Sequence, residues 1–284
     1  MVSALIAGAL APGALHALPT RPNFRAVALP FPMGILAGVA GVLTLGVMAV
    51  WDRIADGEDG NFLVLFGAID RVAGQLVPNL PIQYAALFLG VSFLGLLDDL
   101  LDADPRGWRG HGRAVLRGGF STGAFKAVGT LALAFAVLAG PGFSTPKLLL
   151  ATLVIALTTN LFNLFDLRPG RSWKAFILLA GGLLAASGDW EVLRIVGPFA
   201  GALLVLGFLD LRERCMLGDT GSNLLGALAG VLLVTTLGTA GQAVAAVVLL
   251  AITIFGEFAS ISTSIERVPP LRFLDSLGRK ETDA

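Results

Sequence analysis

Long runs of apolar residues separated by short polar segments dominate this 284-residue chain. A helix that crosses a bilayer needs roughly 20 mostly apolar residues, because lipid offers no hydrogen-bond partner for an exposed backbone. Nine stretches meet this requirement and predict an all-α, polytopic membrane bundle of about nine transmembrane helices. These stretches are residues 2–19, 32–50, 80–97, 124–140, 147–165, 173–188, 192–210, 222–239 and 242–262.

Two segments need a separate interpretation. Residues 61–77 are apolar but contain Asp70 and Arg71, so they predict an interfacial or re-entrant helix within an outer loop over 51–79. The first apolar stretch has no basic segment before it and continues into a Pro-rich basic segment, which favours a span over a signal peptide. No linker or repeat divides the chain, so residues 1–284 are predicted to form one integral membrane domain.

Composition supports the membrane class. Apolar residues make up 55% of the chain and charged residues only 14%, whereas a soluble domain carries about 25% charge. The 20 Lys and Arg residues balance the 20 Asp and Glu residues, which argues against a nucleic-acid surface. One Cys and two His exclude a disulfide framework, a Cys-based zinc site and a His cluster.

The distribution of Lys and Arg predicts the orientation of the bundle, because cytoplasmic loops carry an excess of these residues. With the N-terminus outside, the outer segments hold Arg53, Arg71, Lys147 and Arg194, and the other sixteen basic residues lie inside. This places the C-terminal tail, 263–284, in the cytoplasm, makes 98–126 the largest cytoplasmic loop, and predicts a multi-pass plasma-membrane protein. The inner basic residues are Arg21, Arg25, Arg106, Arg109, Arg113, Arg117, Lys126, Arg168, Arg171, Lys174, Arg212, Arg214, Arg267, Arg272, Arg279 and Lys280.

Polar residues that are costly at a membrane boundary indicate functional positions. The third span ends in Asp98 and Asp99. The fifth ends with Asn160, Asn163 and Asp166, whose i, i+3, i+6 spacing drifts by only about 60° per step and forms one polar stripe. All of these ends are predicted to lie on the inner face.

A glycine-flanked turn, Gly218-Asp219-Thr220-Gly221-Ser222, opens the eighth span. Its backbone N–H groups and hydroxyls suit a phosphate or a metal-bound anion. Oxygen ligands without His or Cys suit Mg²⁺, with Mn²⁺ as an alternative. With the basic loop that contains His111 and Lys126, the combination predicts phosphoryl chemistry at the cytoplasmic leaflet.

Each feature also has a plainer explanation. Asp98 could be a solvated helix cap, and Asn160 and Asn163 could join neighbouring helices. Gly and Asp are common in turns, and the arginines could anchor to anionic lipid. The convergence of all of them on one membrane face favours the functional interpretation.

In this order, the motifs resemble those of the polyprenyl-phosphate N-acetylhexosamine-1-phosphate transferase superfamily, over about residues 20–275. The matching elements are Asp98-Asp99, the Asn160-x-x-Asn163-x-x-Asp166 stripe and the segment 216–222. Residues 21–25 are similar to the family's first inner loop. The resemblance implies a Mg²⁺-dependent transfer of a sugar-1-phosphate from a UDP-N-acetyl-sugar to a polyprenyl phosphate, with release of UMP.

The resemblance also implies roles for individual residues. Asp219 would bind the metal, together with Asp166; Asp98 would bind or deprotonate the lipid phosphate, with Asp99 beside it. Asn163 and Asp166 would support the nucleotide diphosphate, and Lys126 would contact phosphate. The remaining substrate-binding candidates are Asn160, Arg168, His111, Gly218, Thr220 and Ser222.

The chain departs from the family pattern at four places. Asp102 stands where a Lys is common, Pro169 replaces a second Asp, and Met216 replaces an aromatic residue that stacks on uracil. The segment 263–284 has no His-rich motif. These four departures affect positions that recognise the base and sugar in the family, while the acidic residues Asp98, Asp99 and Asp219 are retained.

Two other function classes stay open beside the transferase. A non-catalytic descendant would bind the lipid carrier or the nucleotide sugar as a regulator of envelope synthesis. A small transporter is disfavoured, because no pair of interrupted apolar segments lies in matching halves of the chain. The predicted partners are the membrane, a polyprenyl phosphate and a nucleotide sugar, with a homodimer left open and nucleic acid excluded.

Overall fold

The computed structural model describes residues 1–55, 82–101, 121–139 and 143–279. Over these ranges it contains eleven helices and one two-stranded antiparallel sheet. The strands are β1 (Thr20–Pro22) and β2 (Ala28–Pro30). The helices are α1 (Val2–Ala17), α2 (Ile35–Ala55), α3 (Ile82–Leu101), α4 (Thr122–Leu138), α5 (Thr145–Phe165), α6 (Arg171–Ser187), α7 (Leu193–Leu211), α8 (Gly218–Thr236), α9 (Thr239–Phe258), α10 (Ile261–Arg267) and α11 (Pro269–Ser276).

The all-α membrane class is confirmed at this level. Each of the nine predicted apolar stretches overlaps one of the helices α1 to α9. Within the described residues, four helical segments are long and apolar enough to cross a membrane: Gln83–Leu101, Thr145–Phe165, Leu193–Leu211 and Thr239–Phe258. The interfacial helix predicted over 61–77 lies outside the described residues.

Helix α8 lies at the centre of the bundle. Sixteen of its nineteen residues are buried, and it packs most extensively on α5 and α3. Glycines allow this close approach: a Cβ at Gly226 would lie 2.5 Å from Thr159 Cα, and one at Gly230 would lie 2.8 Å from Ile155 Cα. The packing brings the first turn of α8 beside the last turns of α3 and α5.

The β1–β2 hairpin is a feature that the hydropathy pattern did not predict. Pro30 O accepts a hydrogen bond from Met216 N (2.9 Å), and Leu217 O accepts one from Gly34 N (3.0 Å). A Cβ at Gly34 would lie 2.2 Å from Gly221 N, so only glycine fits where α2 meets α8. These contacts hold the hairpin beside the start of α8.

The predicted loop 98–126 is partly helical, which corrects its boundaries. Helix α3 continues to Leu101 and α4 begins at Thr122, so Asp98, Asp99 and Lys126 all belong to helices. The helix extends past the apolar run because the polar side chains of its last turn find partners in α4 and α8. Residues 102–120, including His111, lie outside the described part of the chain. The predicted tail, likewise, contains α11 and most of α10.

Candidate functional site

One pocket of about 690 Å³ lies where the hairpin meets the ends of several helices. It joins the last turns of α3, α5 and α7 to the first turn of α8. Its wall also includes the segment 167–169 that connects α5 to α6. The lining residues are Arg21, Pro22, Asn23, Phe24, Phe31, Asp98, Asp99, Asn163, Asp166, Leu167, Arg168, Pro169, Asp210, Met216, Gly218 and Asp219.

A lysine joins two of the pocket carboxylates. Lys126 Nζ on α4 donates to Asp98 Oδ2 on α3 (2.6 Å) and to Asp219 Oδ2 on α8 (2.5 Å). The Lys126 side chain is 15% exposed, while those of Asp98 and Asp219 are 21% and 29% exposed. We call these three residues the acid–lysine cluster. Each carboxylate gives one oxygen to the lysine, and both carboxylates also line the pocket.

Asp99 orients the start of α8. Its carboxylate accepts hydrogen bonds from Asp219 N (2.9 Å), from Thr220 N (2.9 Å) and from Thr220 Oγ1 (2.6 Å). A carboxylate on the free N–H groups of a first helical turn is a stabilising cap, and here it comes from a neighbouring helix. Gly218 has φ +72°, and a Cβ there would lie 2.8 Å from Asp99 Oδ2. The cap therefore fixes the backbone that carries Asp219.

Two further carboxylates, Asp166 and Asp210, also line the pocket. Asp166 Oδ1 accepts a hydrogen bond from Ser172 Oγ (2.8 Å), and Asp210 Oδ2 accepts one from Gly170 N (2.7 Å). Burial, and then the negative charge of Asp210, raises the pKa of Asp166 well above its usual range. A cation at this position would relieve both effects.

Asp210 is a pocket residue that the sequence reasoning missed. It is 4% exposed and also accepts from Leu217 N (3.4 Å), which ties the end of α7 to the start of α8. A signal for it was present, because it is a carboxylate at the end of an apolar stretch. The same argument had identified Asp98.

The cationic side of the pocket is built on aromatic rings. The Arg168 guanidinium carbon lies 4.4 Å from the Phe24 ring centroid, and that of Arg21 lies 4.8 Å from the Phe31 ring centroid. Stacking on a ring face holds a guanidinium in place without consuming its charge. All four residues line the pocket, so cations and carboxylates share one cavity.

The structure separates the predicted site residues into two groups. Those that line the pocket are Asp98, Asp99, Asn163, Asp166, Arg168, Gly218 and Asp219, and Lys126 binds two of them. Thr220 and Ser222 do not line it, because they are buried against the neighbouring helices, at 2% and 0% exposure. Asn160 lies two steps of the stripe, about 120°, from Asp166. It therefore faces α9, where its Nδ2 lies 3.5 Å from Thr253 Oγ1.

The carboxylates of the pocket are suitable ligands for a magnesium ion. Mg²⁺ is usually held by one or two carboxylates completed by substrate phosphates, and Asp219 and Asp166 both line the pocket. Among the residues that the structure describes, no group of three or more His, Cys, Asp or Glu side chains could hold a metal unaided. Two carboxylates alone would leave most of the coordination positions of such an ion to other ligands.

A second charge cluster supports the pocket wall from outside. Asp275 on α11 pairs with Arg171 on α6 (Oδ1 to Nε, 2.8 Å) and with Arg279 (Oδ1 to Nη2, 2.7 Å). Arg279 Nε also donates to the carbonyl of Pro169, a pocket residue (2.9 Å). We call Arg171, Asp275 and Arg279 the arginine–Asp275 cluster. It ties the C-terminal helix to the segment 167–169.

Fold and site together define the class: an all-α membrane protein with an acidic pocket where its helix ends meet. The chain matches no known family model, and no curated protein is similar to it in sequence. Any more specific function therefore depends on the chemistry of the pocket.

Proposed function

We propose that this protein transfers a sugar-1-phosphate from a UDP-N-acetyl-sugar to a polyprenyl phosphate, with Mg²⁺, in cell-envelope glycan synthesis. One observation carries the proposal: Asp98, Lys126 and Asp219 converge on a pocket that also holds Asp166 and Arg168. Carboxylates that hold a hard cation, beside fixed guanidinium groups, suit the handling of two phosphorylated substrates. The resemblance of the sequence motifs to those of the sugar-1-phosphate transferases implies the same reaction.

Five of the pocket residues have a part in this reaction. A phosphate oxygen of the lipid attacks the β-phosphorus of the nucleotide sugar, the bond to the α-phosphate oxygen breaks, and UMP leaves. Asp98 positions the attacking phosphate and accepts its proton where one is present. Asp219 and Asp166 would hold the magnesium ion, which would supply positive charge to the diphosphate. Arg168 and Arg21 bind the phosphate oxygens from the aromatic side.

We further propose nine membrane spans, an outer N-terminus and a pocket at the cytoplasmic leaflet of the plasma membrane. Apart from Asn163, the residues that line the pocket come from segments 20–31, 98–126, 166–174 and 210–221, which the basic residues assign to the inner face. A reporter fused after Ala284 should therefore lie in the cytoplasm. An external reporter would overturn this topology.

The decisive experiment measures radiolabelled lipid product from UDP-N-acetylglucosamine, undecaprenyl phosphate and Mg²⁺. Asp219→Asn should abolish the product, a loss of at least ~10³-fold, because it removes a carboxylate ligand of the magnesium ion that would neutralise the reacting phosphates. Glu191→Gln is the matched control, since this exposed carboxylate lies at the ends of α6 and α7 far from the pocket. Equal product from Asp219→Asn and the wild type would reject the proposal.

A second candidate is a non-catalytic binder of lipid carrier or nucleotide sugar. It is favoured by the lysine, which already neutralises part of the Asp98–Asp219 pair, so the acids can be retained without a metal. The same assay separates the two functions. No product with a panel of nucleotide sugars, despite measurable lipid-phosphate binding, would support the binder.

A further inference from the structure

Helix α11 has its polar face toward the protein and its apolar face outward. Asp275 binds Arg171 and Arg279, and the side chains of all three are at most 13% exposed. Phe273 lies two residues before Asp275, a step of about 200° on a helix, and so lies on the opposite side of α11. It is 64% exposed. A helix on the surface of a soluble domain has the reverse arrangement, with its apolar stripe toward the core.

Two leucines extend this outward apolar surface. Leu277 N donates to Phe273 O (3.0 Å), so these two side chains lie one turn apart on the same side of the helix. Leu277 is 53% exposed, and Leu274, beside Phe273, is 43% exposed. We call Phe273, Leu274 and Leu277 the α11 apolar face. Adjoining exposed apolar side chains of this kind mark a surface that a protein partner or a membrane covers.

The contacts of α11 place it where two apolar helices begin and end. Arg171, which binds Asp275, is the first residue of α6, and it also donates to Ser262 Oγ on α10 (2.9 Å). Lys174, in the first turn of α6, donates to Leu274 O on α11 (2.9 Å). Helix α10 begins three residues after the end of α9, which is long and apolar enough to cross a membrane. The boundary of these apolar helices is therefore the level of α11.

The last turns of α9 have the same kind of exposed surface. Ile254, Phe255 and Phe258 are 45%, 47% and 67% exposed. On a helix that can cross a membrane, lipid covers such side chains. Only the seven-residue α10 separates this surface from α11 along the chain. The bilayer is therefore the occupant that the fold favours for the α11 apolar face.

The exposed charges beside this face are positive. Arg267 and Arg272 are exposed. The acids of α10 and α11 are Glu266 and Asp275, and each faces an arginine: Glu266 Oε1 lies 3.5 Å from Arg168 Nη2, and Asp275 lies in the arginine–Asp275 cluster. Basic residues beside an apolar face are typical of helices that bind anionic membrane surfaces.

We propose that α11 lies in the membrane interface, with its apolar face inserted into a leaflet that carries anionic headgroups. An interfacial helix buries its apolar face about 5–10 Å into the headgroup–acyl boundary, which fits a helix at the level where α6 begins. Asp275 meanwhile holds the polar face on the protein. Arg279 also donates to Pro169 O, so the docked helix is joined to the pocket wall. The inference needs the membrane class of the protein and not the proposed transfer reaction.

The test measures the depth of spin labels on the full-length protein in nanodiscs of phosphatidylcholine and phosphatidylglycerol. Phe273→Cys and Leu277→Cys place a nitroxide on the α11 apolar face. Val247→Cys, 68% exposed on α9, is the lipid reference, and Glu191→Cys, exposed between α6 and α7, is the water reference. The parent protein, whose Cys215 is buried, gives the labelling background. Relaxation by oxygen, which partitions into lipid, is compared with relaxation by a water-soluble nickel chelate.

Both α11 labels should have an oxygen-to-nickel ratio about threefold or more above that of the Glu191 label, approaching that of the Val247 label. In nanodiscs of phosphatidylcholine alone the ratio should fall about twofold, because the headgroups that attract Arg267 and Arg272 are absent. A ratio equal to that at position 191 in the anionic nanodiscs would overturn the inference. The same high ratio in both lipids would overturn the choice of an anionic leaflet.

Other occupants of the α11 apolar face would give different signals. Protein over the face would lower relaxation by both reagents at once, and this outcome would overturn the inference. Shielding that occurs only in nanodiscs with two copies of the protein would assign the face to a second copy and would also overturn it. No substrate is added in this experiment, so its result is independent of the proposed transfer.

Discussion

The two charge clusters at the pocket end of the bundle are built in opposite ways. In the acid–lysine cluster one cation lies between two carboxylates, Asp98 and Asp219. In the arginine–Asp275 cluster one carboxylate lies between two guanidinium groups. Arg171 donates to Asp275 at 2.8 and 3.0 Å, and Arg279 donates to it at 2.7 and 2.9 Å.

The difference lies in what each cluster leaves unused. Both oxygens of Asp275 accept from both arginines, so its capacity to accept is filled and the geometry is rigid. Lys126 is a point charge that takes one oxygen from each partner, and the cluster retains one formal negative charge beside the pocket. Spare acceptor atoms at a cavity are suited to a ligand, whereas a filled carboxylate is suited to holding a helix in place.

The largest expected effect comes from removing the bridging cation. In Lys126→Met, Asp98 and Asp219 would repel each other and both anionic substrates, because the cation between the two carboxylates is lost. We expect transfer to fall about 10³-fold, measured as labelled lipid product at saturating Mg²⁺. Lys126→Arg keeps the charge and should restore part of the activity.

Lys147→Met is the control for this change, because Lys147 is exposed at the start of α5, away from the pocket. Full transfer activity in Lys126→Met would show that the acid–lysine cluster has only a structural role, as the arginine–Asp275 cluster does. The comparison between the two clusters would then fail.

An intermediate effect is expected from breaking the arginine–Asp275 cluster. Asp275→Asn leaves Arg171, which is 5% exposed, with an incomplete set of partners. Loss of hydrogen bonds to a charged group costs about 2 kcal/mol, so α11 should open about 30-fold more often. Tryptic cleavage after Arg272 measures this opening. Glu266→Gln, which removes an exposed pair to Arg168 at 3.5 Å, should stay within about twofold of the wild type.

The same cluster predicts a pH dependence. Burial alone would raise the pKa of Asp275, but hydrogen bonds from Arg171 and Arg279 outweigh it and lower the pKa to about 2. A carboxylate with a lowered folded-state pKa stabilises the fold above its ordinary pKa, and this stabilisation is lost as the pH falls from about 4 to 2. Pepsin cleavage at Phe273, relative to a free peptide of residues 268–279, should rise over that window. Asp275→Asn should show no such rise.

The sequence predicts the helices better than it predicts the clusters. Hydropathy locates α1 to α9, because burying apolar surface in lipid requires runs of fixed length. It also locates Asp98, Asp99, Asp166 and Asp219, because charge at a membrane boundary is costly wherever it occurs.

Contacts between side chains that are far apart in the sequence cannot be predicted from hydropathy. Arg171 and Asp275 are 104 positions apart, and no periodicity links α6 to α11. The hairpin was missed because its strands have three residues each, too few to give a hydropathy pattern, and form backbone hydrogen bonds with each other and with the segment before α8. Lys126 was predicted to contact phosphate; its two carboxylate partners follow only from the packing of α3, α4 and α8.

The smallest expected effect uses the single cysteine of the chain to compare the two clusters directly. Cys215 lies between α7 and α8, is fully buried, and has a thiol pKa that burial raises. Because only an exposed thiolate reacts, maleimide labelling at pH 7.5 should be very slow in the folded protein and complete after unfolding. Lys126→Met loosens the first turn of α8 and should speed labelling about threefold, whereas Asp275→Asn, which frees only α11, should leave the rate unchanged. Equal acceleration of labelling by both variants would mean that the two clusters open together. The assignment of the acid–lysine cluster to ligand binding and of the arginine–Asp275 cluster to holding α11 would then be wrong.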